Sequence, residues 1–400
     1  MAFGVSKRLV VLVSVLLLTA PIVFAQSQAT TGVIEGRVTD QSDAVLPGAT
    51  VVLTNVETNQ ERTLIADESG RYRGVLLPLG QYRVAASLQG FASQIKEGIE
   101  LGVGQTLTIN FVLAPGAFED EIIVQAETPL VQTSRTDNAV AVGEDAMFGL
   151  PNNGRNFVKF MNLTPGVGIV QGPDAEEITV NGQKGIQNNV MVDGADFNNP
   201  FFGEQRGGQR PAFTFNIDAV QEMVVVADGA PAEFGRASAG FVTVVTKSGT
   251  NDFRGTAHLF YQDDSLKSEA KRQDGSTEPK FPSERVQGGF TIGGPLMRDK
   301  LFFFTALDVQ RGESTKQEDP DRIEQRVVDA LASLGAPDEN GPINRTDDNE
   351  VFLAKVDWQP TNNHLATARY TYTNTEQDNG TFDVDSWGRS ANAVEKDSSW

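Results

Sequence analysis

Residues 150–255 decide how the rest of this chain is interpreted. They open with LPNNGRNFVKFMNLTPGV (150–167), continue through ITVNGQKGIQNNVMVDGADFNNPFFG (178–203) and close with FGRASAGFVTVVTKSGTNDFRG (234–255). Gly, Asn and Pro punctuate short runs with β-forming composition, which is typical of a small, turn-rich α/β unit. No residues in this stretch have catalytic spacing.

Local structure within this stretch follows from a few positions. A helix is predicted only at residues 155–162, where the apolar side chains share one face and Pro165 ends the run. Tight turns are predicted at Asn181-Gly182 and Asp193-Gly194, because glycine accepts the positive φ that such turns need.

Composition excludes several classes of function. The 400 residues carry 53 acidic and 33 basic side chains, a formal net charge of −20, which argues against a nucleic-acid partner. The chain has no cysteine and only two histidines, so disulfides, thiolate chemistry and most histidine-based catalysis or metal binding are excluded. We therefore predict no catalytic residue, no metal site and no cofactor.

The N-terminus has the pattern of a signal peptide. Lys7 and Arg8 precede the apolar run 9–18, and small residues lead to a cleavage point after Ala25. Residues 1–25 are therefore predicted to be removed. An uncleaved anchor helix is the alternative, although the apolar run is short for a membrane span.

Two further regions are rich in predicted strands. Residues 32–114 alternate apolar and polar side chains between turn residues, which indicates a small β-sandwich. Beyond residue 251 the alternating runs lengthen, with one face suited to lipid and the other to a wet lumen. These runs are 254–262, 285–292, 301–309, 351–358 and 365–372.

The connections between the later strands alternate in length. Residues 263–284 and 310–350 are long, whereas 294–300 and 359–364 are short. Outer-membrane barrels alternate long extracellular loops with short periplasmic turns in this way. A helix is predicted inside the second long connection, from Asp321 to Leu334.

The ordered motifs resemble a known family. LPNNGRNF, NLTPGV, VNGQ, VDGADFNNP and VTKSGTNDFRG together are similar to the plug domain of TonB-dependent outer-membrane receptors, and most similar to the Oar-like branch. GRVTDQSDAVLPGATV and ADESGRYRGVLLPLGQYRVAASLQGF resemble the carboxypeptidase regulatory-like, or transthyretin-like, domain that precedes the plug in that branch. A generic Gly/Asn-rich α+β domain is the alternative for the central stretch.

The resemblance implies a mainly β architecture. The predicted order is signal peptide (1–25), transthyretin-like β-sandwich (32–114), linker (115–137), small α/β plug domain (138–250) and the first strands of an antiparallel transmembrane β-barrel (251–400). A plugged transporter barrel has about 22 strands. About five strands cannot close around a plug, so we expect the sequence to be a fragment of a longer protein, or else a truncated product.

The linker contains a segment that looks like a TonB box, the strand by which such receptors are energised. Its residues are Glu121, Ile122, Ile123, Val124, Gln125 and Ala126. A short β-forming segment in an exposed linker can add to a partner's sheet through backbone hydrogen bonds. The alternative is that this segment is the last strand of the sandwich or the first strand of the plug.

Further site residues are predicted inside the plug. The residues carrying the plug motifs are Arg155, Asn156, Asn181, Gly182, Asp193, Gly194 and Arg236. Arg155 and Arg236 are expected to pair with acidic residues on the inner barrel wall. A polar and aromatic loop is predicted to face ligand, although a plain surface loop fits as well. The loop residues considered are Asn198, Asn199, Phe201 and Phe202.

The resemblance also implies the function. The expected partners are TonB with its inner-membrane energising complex, outer-membrane lipid and an extracellular nutrient, with glycans or peptides slightly favoured. The sandwich and plug are expected to face the periplasm of a Gram-negative-type cell. The alternative is a non-transporting surface adhesin or scaffold. A zinc carboxypeptidase is disfavoured because no histidine lies near the sandwich.

Overall fold

The computed structural model describes most of the chain beyond the N-terminus. The described residues are 30–116, 121–125, 138–152, 155–171, 176–198, 217–230, 235–269, 271, 275, 277, 280–316, 323–336, 338–380 and 393–399. The predicted signal peptide, residues 1–25, lies outside them. Within the described ranges no helix is both long and apolar enough to cross a membrane.

The first unit is a two-sheet β-sandwich. Its strands are β1 (Gly32–Asp40), β2 (Thr50–Asn55), β3 (Glu61–Ile65), β4 (Arg71–Leu77), β5 (Gly80–Ser87), β6 (Ser93–Leu101), β7 (Thr106–Thr108), β8 (Phe111–Leu113) and β9 (Glu121–Gln125). One sheet has the order β4-β1-β7, with β8 also on β1, and the other has the order β3-β2-β5-β6-β9. The predicted sandwich is therefore present.

The sandwich core follows from the alternation of its strands. Every second side chain of β2 and β5 points inward, so that Val51, Leu53 and Val84 are fully buried. The Tyr72 hydroxyl donates a 2.6 Å hydrogen bond to the carbonyl of Ile109, which satisfies the one polar atom of this buried ring.

Two surface loops of the sandwich have the same construction. The Asp40 carboxylate accepts hydrogen bonds from Ser42 and Ala44, and the Asp67 carboxylate accepts them from Ser69 and Arg71. The side-chain bond from each serine, together with the backbone donors, lowers the pKa of each aspartate. These Asx-type turns explain why the loop sequences DQSDA and DESGR are similar.

The second unit is the plug. Its elements are β10 (Asn138–Gly143), α1 (Glu144–Gly149), a 3₁₀-helix (Phe157–Leu163), β11 (Val167–Gln171), β12 (Glu176–Val180), a 3₁₀-turn (Gly185–Gln187), β13 (Asn189–Val192), β14 (Ala195–Asp196), a 3₁₀-turn (Ile217–Ala219), β15 (Val220–Asp228) and β16 (Phe241–Thr246). Its main sheet has the order β10-β15-β16-β13-β14, and β11 pairs with β12.

The helix predicted at residues 155–162 is wrong in type. The segment Phe157–Leu163 is a 3₁₀-helix, capped by the Asn156 side chain on the Val158 amide. Since Pro165 follows closely, the segment is too short to gain much from α-helical hydrogen bonding. Phe157, Phe160 and Met161 are nevertheless buried in the plug core, as the pattern predicted, whereas Leu163 at the end of the segment is exposed.

The third unit is a strand wall. Its elements are β17 (Arg254–Asp263), a 3₁₀-turn (Asp264–Leu266), β18 (Ser283–Met297), β19 (Leu301–Lys316), α2 (Gln325–Ser333), β20 (Ile343–Thr346), β21 (Asp348–Thr361), β22 (His364–Gly380) and β23 (Ala393–Ser399). Strands β17-β18-β19-β21-β22-β23 form one antiparallel sheet, and β20 adds to β19. All five predicted runs are strands, and most are longer than expected.

The wall keeps the predicted alternation of connections. Met297 and Leu301 flank one short turn, Thr361 and His364 flank the other, and the intervening connections are long. Helix α2 lies in the second long connection, although it is shorter than predicted. Strand β23 was not predicted, because residues 380–400 carry a polar sequence without apolar alternation.

The two faces of the wall differ in their surroundings. Leu259, Tyr261, Trp358 and Tyr370 are exposed on the outer face, as expected for side chains that contact lipid. The inner face is buried against the plug, and its Phe304, Ala306, Val351 and Leu353 join the plug's own apolar cluster. The fold is thus mainly β, with sandwich, plug and transmembrane-type strands as predicted.

Candidate functional site at the plug–wall interface

A tight turn carries Asp193, a plug aspartate that contacts cations of the wall. Asp193 and Gly194 join β13 to β14 and have φ values of 47° and 79°. Positive φ at both central residues is the signature of a type I′ hairpin turn, which Asp-Gly favours. The predicted turn is therefore confirmed, and it projects Asp193 from the end of β13.

Asp193 joins plug and wall through several polar contacts. Its Oδ2 lies 2.8 Å from Arg369 Nη1 of β22, and its Oδ1 lies 3.9 Å from Lys355 Nζ of β21. The Thr246 amide and hydroxyl donate to the same carboxylate at 2.7 and 2.6 Å. Lys355 also donates to the Thr246 carbonyl at 3.1 Å. With Asp193 only 14% exposed, these charges interact in a poorly solvated space.

A second polar cluster centres on His258 of β17. Its Nδ1 lies 2.7 Å from Asp218 Oδ2 of the plug, and its Nε2 lies 3.0 Å from Asp308 Oδ2 of β19. Asp308 also accepts a 3.1 Å hydrogen bond from Gln287 of β18. His258, Asp218 and Asp308 are all nearly or fully buried. An imidazolium fits this arrangement, because the ring lies between two carboxylates and Nε2 can donate a hydrogen bond to Asp308.

Arg155 completes this second cluster from the plug side. Its Nη2 donates a 2.6 Å hydrogen bond to Asp218 Oδ1, and its guanidinium lies 4.9 Å from the centre of the Phe260 ring. Burial raises the pKa of Asp218, but contact with His258 and the charge of Arg155 outweigh it, leaving the pKa below its usual value. The buried Asp218 is thus held as a carboxylate.

The predicted partners of the two plug arginines are wrong. Arg155 pairs with Asp218, and Arg236 pairs with Asp196, so both partners belong to the plug. The wall instead supplies cations from His258, Arg369 and Lys355 to plug carboxylates. Arg236 is 77% exposed and carries little of the docking.

Other predicted plug residues have local structural roles. Asn181 and Gly182 form a turn with φ values of 51° and 75°, and the Asn181 amide donates to the Ala227 carbonyl at 2.9 Å. Asn198 accepts from the Val190 amide and donates to Asn189. The remaining residues of the predicted ligand-facing loop lie outside the described residues. These are Asn199, Phe201 and Phe202.

The segment predicted to be an exposed linker strand is part of the sandwich. Glu121–Gln125 forms β9 and pairs in parallel with β6, from Ser93↔Glu121 to Glu97↔Gln125. This is the alternative of a last sandwich strand, and it arises because β6 otherwise has an unpaired edge there. Ala126 lies outside the described residues.

The sandwich is docked on both plug and wall. The Val103 amide donates to Glu222 of β15 at 2.8 Å, and Val103 packs against apolar residues of β15 and β16. Glu57 forms a 2.8 Å ion pair with Arg254 of β17. Asn59 donates to Asp299 in the turn after β18 at 2.9 Å.

A cavity of about 530 Å³ lies where the three units meet. Sandwich residues such as Thr31 and Thr58 line it together with Lys247 of the plug and Asp357 of the wall. Within the described ranges Thr31 Oγ1, Thr58 Oγ1 and Asp357 Oδ2 are buried without a hydrogen-bond partner. Polar groups of this kind are typical of hydrated space. In the described part of the chain no cluster of His, Cys, Asp or Glu is arranged to hold a metal ion.

The alternation of inward and outward side chains along each strand could have assigned the wall residues that the prediction missed to the inner face. The missed residues all lie on the face of the wall opposite to the exposed apolar side chains. They are His258, Gln287, Asp308, Lys355 and Arg369. A polar residue on the inner face of a barrel strand is ordinary, however, so the sequence carries no signal for which plug residue it contacts.

Three domain families match this chain. Residues 33–114 match the carboxypeptidase regulatory-like domain, residues 134–242 the TonB-dependent receptor plug domain and residues 245–323 an outer membrane β-barrel domain. These matches occur in the order that the sequence predicted.

Individual proteins are also similar to this chain. The chain is 28% identical over 311 residues to the TonB-dependent transporter Oar of Myxococcus xanthus, an alignment covering 74% of this chain and 28% of that relative's length. The outer membrane transporter YddB from Escherichia coli is 15% identical with a TM-score of 0.46, covering 61% of this chain and 34% of that one. The siderophore receptor PirA from Acinetobacter baumannii is 17% identical with a TM-score of 0.42, covering 64% and 34%.

Proposed function

We propose that this chain is part of a TonB-dependent outer-membrane receptor with a carboxypeptidase regulatory-like sandwich, and that it serves energised uptake of a nutrient across the outer membrane. The three domain matches and the similarity to the transporter Oar support this proposal. The observation that carries the proposal is the plug held against the wall by buried charge pairs. Asp193 and Asp218 of the plug contact Arg369 and His258 of the wall. No catalytic step is assigned to the chain.

This form of docking suits a plug that has to be both tight and movable. Forming a buried ion pair costs desolvation free energy, and the two charges regain their hydration when they separate. Such pairs therefore add specificity more than net stability. Water in the neighbouring cavity would rehydrate the separating charges. A plug docked in this way seals the wall at rest and can shift under an applied force.

The proposed energising partner is TonB, acting on the box at residues 121–126. Glu121–Gln125 is already extended, which is the conformation needed for strand addition to a partner's sheet. The sandwich and plug are proposed to face the periplasm, where TonB acts, and the long connections of the wall are proposed to face outside and bind the nutrient. We favour a glycan or a peptide as the substrate class.

The test is uptake by cells that express the full-length receptor in place of its deleted gene. A panel of fluorescent oligosaccharides and oligopeptides serves as the probe, with and without a protonophore. We expect Ile122→Pro and the protonophore each to abolish accumulation while binding at the cell surface persists, because proline removes the amide and blocks strand pairing. Ile122→Val is the matched control and should accumulate the probe normally.

The outcomes separate transport from a surface role. Accumulation that ignores both the protonophore and Ile122→Pro would contradict energised uptake. Probe binding at the surface without accumulation in the unmodified receptor would favour an adhesin or scaffold.

A further inference from the structure

Strand β9 is held on the sandwich by its backbone. It pairs in parallel with the first five residues of β6, in the register Gln94↔Ile122, Ile95↔Ile123 and Lys96↔Val124. The pairing stops before Gly98, whose φ of 75° takes β6 out of the regular strand conformation. β9 therefore covers a defined, otherwise unpaired part of the β6 edge.

The apolar side chains of β9 do not bury themselves in the sandwich. Ile122 is 46% exposed and Ile123 is 63% exposed, although consecutive strand residues point to opposite faces of a sheet. By contrast, Ile99 and Leu101 of the neighbouring β6 are almost fully buried in the sandwich core. Both faces of β9 thus present an isoleucine that the sandwich leaves uncovered.

The outer edge of β9 also has no strand beside it. The five-stranded sheet ends at β9, whose only strand neighbour among the described residues is β6. Alternate backbone amides and carbonyls of β9 point to this outer edge, where an incoming strand can pair with them. The edge is short and twisted with its sheet, so a single complementary strand fits it better than an extended fibril.

We propose that an extended strand of TonB adds to the outer edge of β9 while β9 remains paired with β6, so that the partner's sheet continues the sandwich sheet. This inference rests on the proposed function and specifies how its partner engages. Ile122 and Ile123 are the side chains that the partner covers. A strand that is already ordered loses less conformational entropy on binding than a free linker does, and keeping β9 in place avoids exposing the β6 edge.

The same contacts define where the force is delivered. A partner bound to β9 pulls first on the sandwich, because β9 is one of its strands. The sandwich in turn holds the plug through Val103 and Glu222 and holds the wall through Glu57 and Arg254. The sandwich therefore acts as the handle that transmits the pull to β15 of the plug.

A disulfide between β6 and β9 separates this inference from release of β9. Ser93 and Glu121 are register partners at the start of the pairing, and the chain contains no native cysteine. The double variant Ser93→Cys/Glu121→Cys in the purified full-length receptor leaves both isoleucines in place. The probe is the purified periplasmic domain of TonB from the same organism, and the two single-cysteine variants are controls.

We expect the oxidised double variant to bind this probe at least as tightly as its reduced form. Loss of binding on oxidation, restored by reductant, would overturn the inference and show that β9 has to leave β6. If the unmodified receptor and all variants fail to bind the probe, the box assignment of the proposed function fails instead.

A side-chain test supports the same distinction without a cross-link. Ile123→Ser should weaken binding by about tenfold, the effect of losing one aliphatic side chain that a partner covers. The matched control is Ile65→Ser, since Ile65 is 72% exposed on β3 at the opposite edge of the same sheet. Equal affinities for the two variants would overturn the inference.

Discussion

His258 offers the most direct test of the buried plug–wall contacts. The change His258→Ala removes the side chain that lies 2.7 Å from Asp218 and 3.0 Å from Asp308. Among the described residues it leaves the fully buried Asp308 carboxylate with the hydrogen bond from Gln287. Breaking a buried ion pair by removing one partner destabilises by about 3–5 kcal/mol. Because Asp218 keeps Arg155, we expect the lower end, about 3 kcal/mol.

The expected magnitude translates into a measurable denaturation shift. With a urea m-value of about 2 kcal/mol/M, a loss of about 3 kcal/mol lowers the midpoint for plug opening by about 1.5 M. The assay is the urea dependence of hydrogen exchange in peptides from β15, with peptides from the wall strands as the internal reference. The matched control is Arg236→Ala, whose ion pair with Asp196 is exposed and contributes about 0–1 kcal/mol.

A second change identifies the cause of the His258 effect. Adding Asp308→Asn to His258→Ala removes the stranded carboxylate, so the double variant should recover a large part of the lost stability. If His258→Ala shifts the midpoint no more than Arg236→Ala does, or if the double variant is the least stable, the reasoning about a stranded buried charge is refuted.

Three further predictions use the same receptor. Asp193→Asn should destabilise plug docking by about 2–5 kcal/mol, since Arg369 loses its buried carboxylate, and an unchanged hydrogen-exchange profile in β13 would contradict this. Gly36→Ala should destabilise the sandwich by at least about 3 kcal/mol in thermal melts, because the added Cβ would lie 1.9 Å from a backbone oxygen, whereas Gly143→Ala meets open space and should be neutral. Burial raises the pKa of Tyr72, so the neutral Tyr72 side chain stabilises the fold fully below the unfolded-state pKa of about 10, and this stabilisation is lost as pH rises above that value. Tyr72→Phe should reduce the loss of stability at alkaline pH. A variant with the same alkaline melting curve as the unmodified protein would contradict this role of Tyr72.

Much of the fold could be predicted because strand alternation is a local signal. Residues 351–358 place Lys355 and Asp357 on one face and Val356 and Trp358 on the other, and the structure buries the first pair and exposes the second. Lipid and a polar interior impose opposite requirements on the two faces of one strand, so the sequence has to record both.

The helix type and the last strand illustrate the limits of local signals. The apolar spacing of residues 157–161 fits both an α-helix and a 3₁₀-helix over so short a length, so the pattern alone does not determine the helix type. Strand β23 has a polar sequence and is formed by pairing with β22 rather than by its own propensity.

The site was less predictable than the fold, because its contacts join distant residues. Arg155 and Arg236 were expected to pair with the wall, yet each pairs with an acidic residue of the plug. Asp218 and His258 are separated by 40 positions and belong to different units, and no periodicity couples them. A charge on an inner face satisfies the alternation rule whichever partner it meets.

The sequence by itself therefore determined the order of sandwich, plug and wall, the outward face of the five predicted wall strands, and the positive-φ turns at Asn181 and Asp193. These depend on neighbouring residues and on the solvent at each face. Only the tertiary structure decided that plug carboxylates meet wall cations and that Glu121–Gln125 closes the β6 edge. Those contacts depend on which charges and which unpaired backbone groups the folded units bring together, and burial then makes each unpaired alternative costly.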